Sequence, residues 1–138
     1  MSENNLPKTR VLIVDDDKTL SDMYKERLEI SGYSVSLARN GEMALSCAVE
    51  HMPQVILLDV MMPKINGFEV LSILKSTRET KNIPVIMFTA LSHDAKKKKG
   101  LSHGVEKYIV KSEVTPKQVV DIIEKVVKDN ERKIRKAV

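Results

Sequence analysis

The sequence has little of several residue types that are abundant in other classes of protein. Its 138 residues include one cysteine, Cys47, so no internal disulfide can form and nothing indicates an oxidising compartment. No apolar run approaches the roughly 20 residues of a membrane-spanning helix, and the N-terminal stretch lacks the apolar core of a signal peptide. Hydrophobic residues make up 42% and charged residues 30%, which is typical of a globular protein. We therefore expect one soluble, cytoplasmic domain, since a typical domain has about 150 residues.

The charge is unevenly distributed along the chain. Residues 1–93 contain 10 basic and 12 acidic side chains, for a net charge of −2, whereas residues 94–138 contain 13 and 7, for a net charge of +6. This asymmetry predicts an acidic site in the first part and a basic surface in the second. Ordinary solvated helix faces are the alternative explanation for each charged run.

Short apolar runs alternate with stretches of helical periodicity. The runs at 11–14, 55–58 and 83–88 are rich in Val and Ile, which is typical of strands covered on both faces, and 34–38 and 108–110 are weaker strand candidates. A helical pattern follows each run. Five such repeats predict an α/β fold, a doubly wound parallel sheet of five strands in the order 2-1-3-4-5.

Helix boundaries are also visible in the sequence. Asp17 is a predicted N-cap, and Thr115 with Gln118 forms a predicted capping box that has Pro116 at its first helical position. Two sets of apolar residues are expected to face the core: Leu20, Met23, Tyr24 and Leu28 in the first helix, and Val119, Val120, Ile123 and Val126 in the last.

Polar side chains follow the strands at the edge of the sheet where the strand order reverses, which is where ligands bind in such folds. Carboxylates grouped there suit Mg²⁺, and a carboxylate can attack phosphorus to give an aspartyl phosphate. A nearby lysine would neutralise the phosphoryl charge. The residues are Asp15, Asp16 and Asp17 after the first strand, Asp59 after the third, Thr89 at the end of the fourth and Lys111 at the end of the fifth.

With these residues in place, the chain resembles the receiver domain of two-component response regulators. The motifs are VLIVDDD, VILLDVMMPKINGFEVL, IPVIMFTA and YIVK, and the resemblance covers about residues 10–128. It implies a flavodoxin-like (βα)5 fold that accepts a phosphoryl group from phosphohistidine on a sensor kinase or a phosphotransfer protein. It also implies a signalling phosphoacceptor that catalyses only its own phosphorylation and dephosphorylation, and is otherwise no enzyme.

The resemblance implies a role for each acidic residue. Asp59 would be the phosphorylated aspartate, and Asp15 and Asp16 would form the acid pair, with Asp16 as the more direct ligand of Mg²⁺. The backbone carbonyl of Met61 would complete the protein's share of the metal ligands.

The resemblance assigns the remaining groups to the phosphoryl oxygens and to the conformational switch. Thr89 and the backbone amide of Ala90 would bind phosphoryl oxygens, Lys111 would bind the phosphate, and Tyr108 would be the switch aromatic. Many receivers follow this lysine with a cis proline, whereas Ser112 stands here. Because a cis bond before a non-proline residue costs about 2.5–4 kcal/mol, either the bond is trans and the next loop is rerouted, or the site is strained.

Further expectations concern lifetime, boundaries and output. Met61 and Leu91 flank the phosphate site in this family; both are apolar and cannot activate water, which predicts a long-lived phosphorylated state. We expect an N-terminal tail at 1–9, the receiver at 10–128, and a basic helix extension or tail at 129–138. The fourth helix, fifth strand and fifth helix would contact a downstream protein. We do not expect nucleic-acid binding by this domain alone, because the lysines at 96–99 lack interleaved aromatic residues, and we expect no membrane contact.

Two other functions fit part of the pattern. VLIVDDDKTL matches the first motif of haloacid-dehalogenase-type phosphatases, in which Asp15 would be the nucleophile and Asp17 the general acid. Against this alternative, the last acidic motif of that family follows its lysine, whereas Asp59 precedes Lys111. An FMN-binding protein is disfavoured because three consecutive aspartates repel a phosphate, and a receiver fold that no longer accepts phosphate stays open.

Overall fold

The chain folds as a parallel sheet with helices on both faces, as the sequence predicts. A computed structural model describes residues 7–92 and 94–137. The strand order is β2-β1-β3-β4-β5, with every neighbouring pair parallel. The elements are β1 (Arg10–Val14), α1 (Lys18–Ile30), β2 (Ser34–Ala38), α2 (Gly41–His51), β3 (Val55–Leu58), α3 (Gly67–Ser76), β4 (Val85–Thr89), α4 (Asp94–Ser102), β5 (Lys107–Val110) and α5 (Pro116–Ala137).

The alternation of side chains along the central strands divides the core into two layers. Leu12 of β1 and Ile56 of β3 point to one face, where they pack with residues of α2 and α3. Val11 and Leu57 point to the other face and pack with residues of α1 and α5. Because both faces are covered, these strands consist of continuous apolar residues rather than an alternating pattern.

Polar caps fix where the helices begin. The Asp17 carboxylate accepts a hydrogen bond from the backbone N–H of Leu20 at 3.0 Å, as predicted. Thr115 and Gln118 form the predicted box: Thr115 Oγ1 accepts from Gln118 N–H at 3.2 Å, and Gln118 Oε1 accepts from Thr115 N–H at 2.8 Å. These bonds satisfy N–H groups that have no partner within the helix.

The structure corrects two details of the sequence prediction. The fourth strand begins at Val85 rather than at residue 83, because Pro84 has no N–H to donate to the ladder, although its carbonyl accepts from Ile56 N–H at 3.1 Å. Met23 was expected to face the core and is 39% exposed, so that prediction is wrong.

The C-terminal basic segment is helical. α5 runs for 22 residues to Ala137, so the chain after Val127 continues the helix and exposes its charged side chains. The expected tail at 1–9 lies mostly outside the described residues, which begin at residue 7. Within the described ranges, no helix is both long enough and apolar enough to cross a membrane.

Candidate functional site

Two of the predicted aspartates are placed side by side by the register of the sheet. Val14 of β1 pairs with Leu58 of β3, and each strand ends there, so Asp15 and Asp59 follow as neighbours. The backbone N–H of Asp59 donates to the carbonyl of Val14 at 3.0 Å, which extends the ladder by one residue. Asp15 and Asp59 are 4% and 6% exposed, so both carboxylates are buried at the edge of the sheet.

The buried carboxylates are oriented by backbone donors on one oxygen each. Asp15 Oδ1 accepts from the N–H of Asp17 at 2.9 Å, and Asp59 Oδ1 accepts from the N–H of Met61 at 3.2 Å. Burying an ionised carboxylate is costly unless such partners are present. Both side chains are therefore held in one orientation by the loops that follow their own strands.

Lys111 supplies the cation between these two carboxylates. Its Nζ donates to Asp15 Oδ2 at 2.6 Å and to Asp59 Oδ2 at 3.1 Å, and the side chain is 17% exposed. Burial lowers the pKa of Lys111, but the hydrogen bond to Asp15 and the charges of both carboxylates outweigh burial and raise the pKa above its usual value.

The chain continues after Lys111 through a trans peptide bond and a short helical turn. No cis peptide bond occurs among the described residues, so the Lys111–Ser112 bond is trans. A single 3₁₀ turn, Lys111–Glu113, follows directly and leads to α5. Of the two alternatives open from the sequence, the trans bond is therefore the one present, and the lysine still reaches both carboxylates.

The acidic residues can hold a divalent metal ion. Asp15, Asp16 and Asp59 each offer one carboxylate oxygen, and the three oxygens lie within 4.8 Å of one another. Two ligands on opposite sides of an Mg²⁺ ion are about 4.2 Å apart, since its bonds measure about 2.1 Å. The 4.8 Å limit on the separations of the three oxygens is close to this distance, and oxygen ligands are the type that Mg²⁺ prefers, so the donor set fits the ion. The predicted carbonyl ligand from Met61 stays a prediction.

A cavity of about 640 Å³ lies above the acidic residues. Its lining combines carboxylates of the site with apolar side chains, among them Met61 and Leu91, and with the ammonium-bearing side chains of Lys111 and Lys96. Sequence reasoning missed Lys96 at this position. Its place in the first turn of α4 could have indicated this position, because that helix starts at the same edge of the sheet as the aspartates.

The loop after Asp59 is held tightly against the strand end by Gly67. The N–H of Gly67 donates to the carbonyl of Val60 at 2.9 Å. A Cβ atom built at this position would lie 2.2 Å from the carbonyl oxygen of Asp59, so no larger residue fits without moving the backbone. The first turn of α3 therefore packs directly against the backbone of Asp59 and restrains its position.

Three predicted residues are not part of the lining of this cavity: Thr89, Ala90 and Tyr108. Thr89 is fully buried, and its Oγ1 accepts from the N–H of Leu91 at 3.3 Å. The Tyr108 hydroxyl donates to the carbonyl of Leu91 at 3.0 Å. Burial and the charge of Asp59 raise the pKa of Tyr108, so the carboxylate acts electrostatically on this hydroxyl. The shared contact with Leu91 was not foreseen from the sequence.

Comparison with known proteins assigns the family. A family model described as the response regulator receiver domain matches residues 11–124. The chain is 40% identical over 102 residues to the DNA-binding dual master transcriptional regulator RpaA of a Synechocystis species, and 41% identical over 102 residues to the transcriptional regulatory protein CpxR of Escherichia coli K12. Each alignment covers 74% of this chain and 42% of the relative, so the chain spans less than half the length of these regulators.

Solved structures agree with this assignment. A CheY-like response regulator receiver domain protein from Methanospirillum hungatei superposes with a TM-score of 0.86 at 28% identity, over 92% of this chain and 99% of that one. The phosphatase alternative finds no support here, since sequence and structure both match receivers. The chain, with its acidic edge and bridging lysine, belongs to the response regulator receiver domain family of two-component signalling.

Proposed function

We propose that Asp59 accepts a phosphoryl group from a phosphohistidine on a sensor kinase or a phosphotransfer protein. A carboxylate oxygen of Asp59 attacks phosphorus, the O–P bond forms, and the P–N bond breaks. The histidine nitrogen keeps the electron pair and takes up a proton. The observation that supports this role above others is Lys111, which is bound to Asp59 and Asp15 within a group of three carboxylates.

Each neighbouring residue has a task in this proposal. Asp15, Asp16, Asp59 and the carbonyl of Met61 would hold Mg²⁺, which when bound neutralises charge on the phosphoryl oxygens. Lys111 already lies 3.1 Å from an Asp59 oxygen and would remain on the phosphoryl group.

Thr89 and Tyr108 would carry the change to the outer surface. The Thr89 hydroxyl and the Ala90 N–H would bind phosphoryl oxygens, and Thr89 would give up its bond to Leu91 to do so. Tyr108 holds the carbonyl of the same residue and would repack inward. The face formed by α4, β5 and α5 would then favour a second arrangement, in which it binds a downstream protein.

The proposal extends to the lifetime and location of the phosphorylated state. Met61 and Leu91 line the cavity and offer no group that activates water, which supports slow loss of phosphate. The domain would catalyse its own phosphorylation and dephosphorylation and act in the cytoplasm, where sensor kinases present phosphohistidine. We assign the receiver to residues 10–128 and a basic extension to residues 129–138. The family match over residues 11–124 supports the first assignment, and α5 continues into the extension as far as Ala137.

Intact-mass measurement after incubation with Mg²⁺ and acetyl phosphate tests the proposal. The wild type should gain the mass of one phosphoryl group, and chelation of the metal should prevent the gain. Asp59→Asn should show no gain. Asp17→Asn is the matched control, because Asp17 also lines the cavity but caps α1, and it should be labelled like the wild type. No labelling of the wild type, or undiminished labelling of Asp59→Asn, would refute the assignment.

A further inference from the structure

The lysines at the start of α4 differ in what they contact. Lys96, Lys97 and Lys98 are all exposed, but Lys96 lines the same cavity as Asp59 and the other two lie outside its lining. We propose that Lys96 is a second phosphoryl-binding cation, which reaches the group on Asp59 from α4. This inference rests on the proposed phosphorylation of Asp59 and adds a specific residue to it.

The Lys96 ammonium makes few other contacts with the described residues. Lys111 is engaged by Asp15 and Asp59, but no carboxylate of the described ranges lies within 4.0 Å of the Lys96 ammonium. Its other contact is the ring of Phe68, whose centroid is 5.9 Å from Nζ, at the outer limit of about 6 Å for a cation–π contact. Lys99 occupies the same ring more closely, at 4.6 Å. The Lys96 ammonium can therefore move within the cavity toward the group on Asp59 at little cost in free energy.

Phosphorylation would supply an anion in that cavity. A carboxylate with one negative charge becomes an acyl phosphate with about two, and its three terminal oxygens project away from the strand end. Lys111 approaches from β5, and the proposed donors Thr89 and Ala90 lie at the end of β4, so a donor from the first turn of α4 would add a further contact to these oxygens. An ammonium on a flexible stem, with three donors, suits this position because it needs no fixed orientation.

Because of its position on α4, a contact of Lys96 with the phosphoryl group would restrain the start of that helix. Asp94 is the first residue of α4, so Lys96 belongs to the first helical turn. A bond from Lys96 to the phosphoryl group would tie the start of α4 to Asp59. Among the residues of α4 whose burial is described, Gly100 is the buried one, and it packs against Tyr108. Few apolar contacts therefore hold α4 against the core. The tie would therefore hold α4 in one arrangement while the phosphoryl group is present.

The run of lysines provides its own matched control. Lys96→Gln and Lys97→Gln each remove one positive charge from the same exposed helix. Two quantities are measured with Mg²⁺ present: the rate of labelling by acetyl phosphate below saturation, and the half-saturating concentration of beryllofluoride by calorimetric titration. Lys96→Gln should slow labelling and weaken beryllofluoride binding about threefold to tenfold, as expected for one charged contact in a partly solvated cavity. Lys97→Gln should stay within about twofold of the wild type, and Lys96→Arg should restore most of the loss.

Each other outcome decides against the inference. Equal losses in Lys96→Gln and Lys97→Gln would indicate general attraction by the basic helix, and unchanged values in Lys96→Gln would indicate no contact. Failure of the proposed function is a distinct result, because then the wild type itself takes up no phosphoryl group. Circular dichroism of both variants verifies that an observed loss does not come from unfolding.

Discussion

Replacement of Lys111 by methionine tests the electrostatics of the site most directly. Met keeps an unbranched side chain near the ring of Phe88, whose centroid lies 5.7 Å from Nζ, but it removes the ammonium that Asp15 and Asp59 share. The variant therefore leaves two buried carboxylates facing each other with no cation between them. We expect Lys111→Met to be destabilised in the absence of divalent ions.

The magnitude follows from burial. Removing one partner of a buried ion pair costs about 3–5 kcal/mol. Lys111 is 17% exposed and the cavity admits water, which lowers the expected loss to about 2–4 kcal/mol. With a urea dependence of about 2 kcal/mol/M for a domain of this size, the unfolding midpoint should fall by about 1–2 M.

Added Mg²⁺ should reduce this difference. A dication binds the folded variant at the carboxylates and stabilises it by mass action, and it meets no competing ammonium there. The gain in unfolding free energy on adding Mg²⁺ should therefore be larger for Lys111→Met than for the wild type. Urea titrations followed by circular dichroism, with chelator and with Mg²⁺, measure both effects.

The pH dependence has a defined sign. Because the folded-state pKa of Lys111 is raised above its ordinary value of 10.5, its stabilisation is fully present below about pH 10 and is lost as the pH rises through the raised pKa. The gap between wild type and Lys111→Met should therefore persist from pH 7 to about pH 10 and shrink at higher pH. Lys107→Met, at the exposed start of the same strand, is the control and should shift stability by no more than about 0.5 kcal/mol. A midpoint for Lys111→Met equal to that of the control would refute the reasoning.

Two further substitutions test the surroundings of the site by urea unfolding. Gly67→Ala should lose more than about 2 kcal/mol, because the new Cβ would lie 2.2 Å from the carbonyl oxygen of Asp59 and the backbone must move; a loss below about 1 kcal/mol would contradict this packing. Tyr108→Phe removes the donor to Leu91 and should cost about 1 kcal/mol. Tyr33→Phe is its control, because the Tyr33 hydroxyl makes no hydrogen bond within the described ranges; equal losses in the two variants would contradict a specific role for the bond.

The ends of the helices could be predicted because they depend on local chemistry, and the order of the strands because alternating strands and helices form few topologies. Asp17 and Thr115 cap their helices through bonds to residues three positions ahead, a pattern that the sequence alone contains. The alignment of Asp15 with Asp59 was also predictable, since parallel strands place their carboxyl ends at one edge of the sheet.

The directions of long side chains could not be predicted. That Lys111 would bind both carboxylates depends on the trans turn at Ser112, and sequence reasoning left two geometries open there. The first turn of α4 places Lys96 at the same edge of the sheet as the aspartates, but its approach to the cavity depends on how α4 packs, which the polar sequence of the helix does not reveal. Met23 was placed wrongly because a helical stripe gives only the approximate width of the covered face.

The two hydrogen bonds at Leu91 have a consequence for how variants should be interpreted. One residue presents its N–H to Thr89 and its carbonyl to Tyr108, so a single peptide segment joins two side chains that stand 19 positions apart in the chain. Substitutions at either side chain change the restraint felt by the other, and their free energies will not add. The summed losses of the two single variants will therefore differ from the loss of the double variant, and a double-mutant cycle measures this coupling free energy.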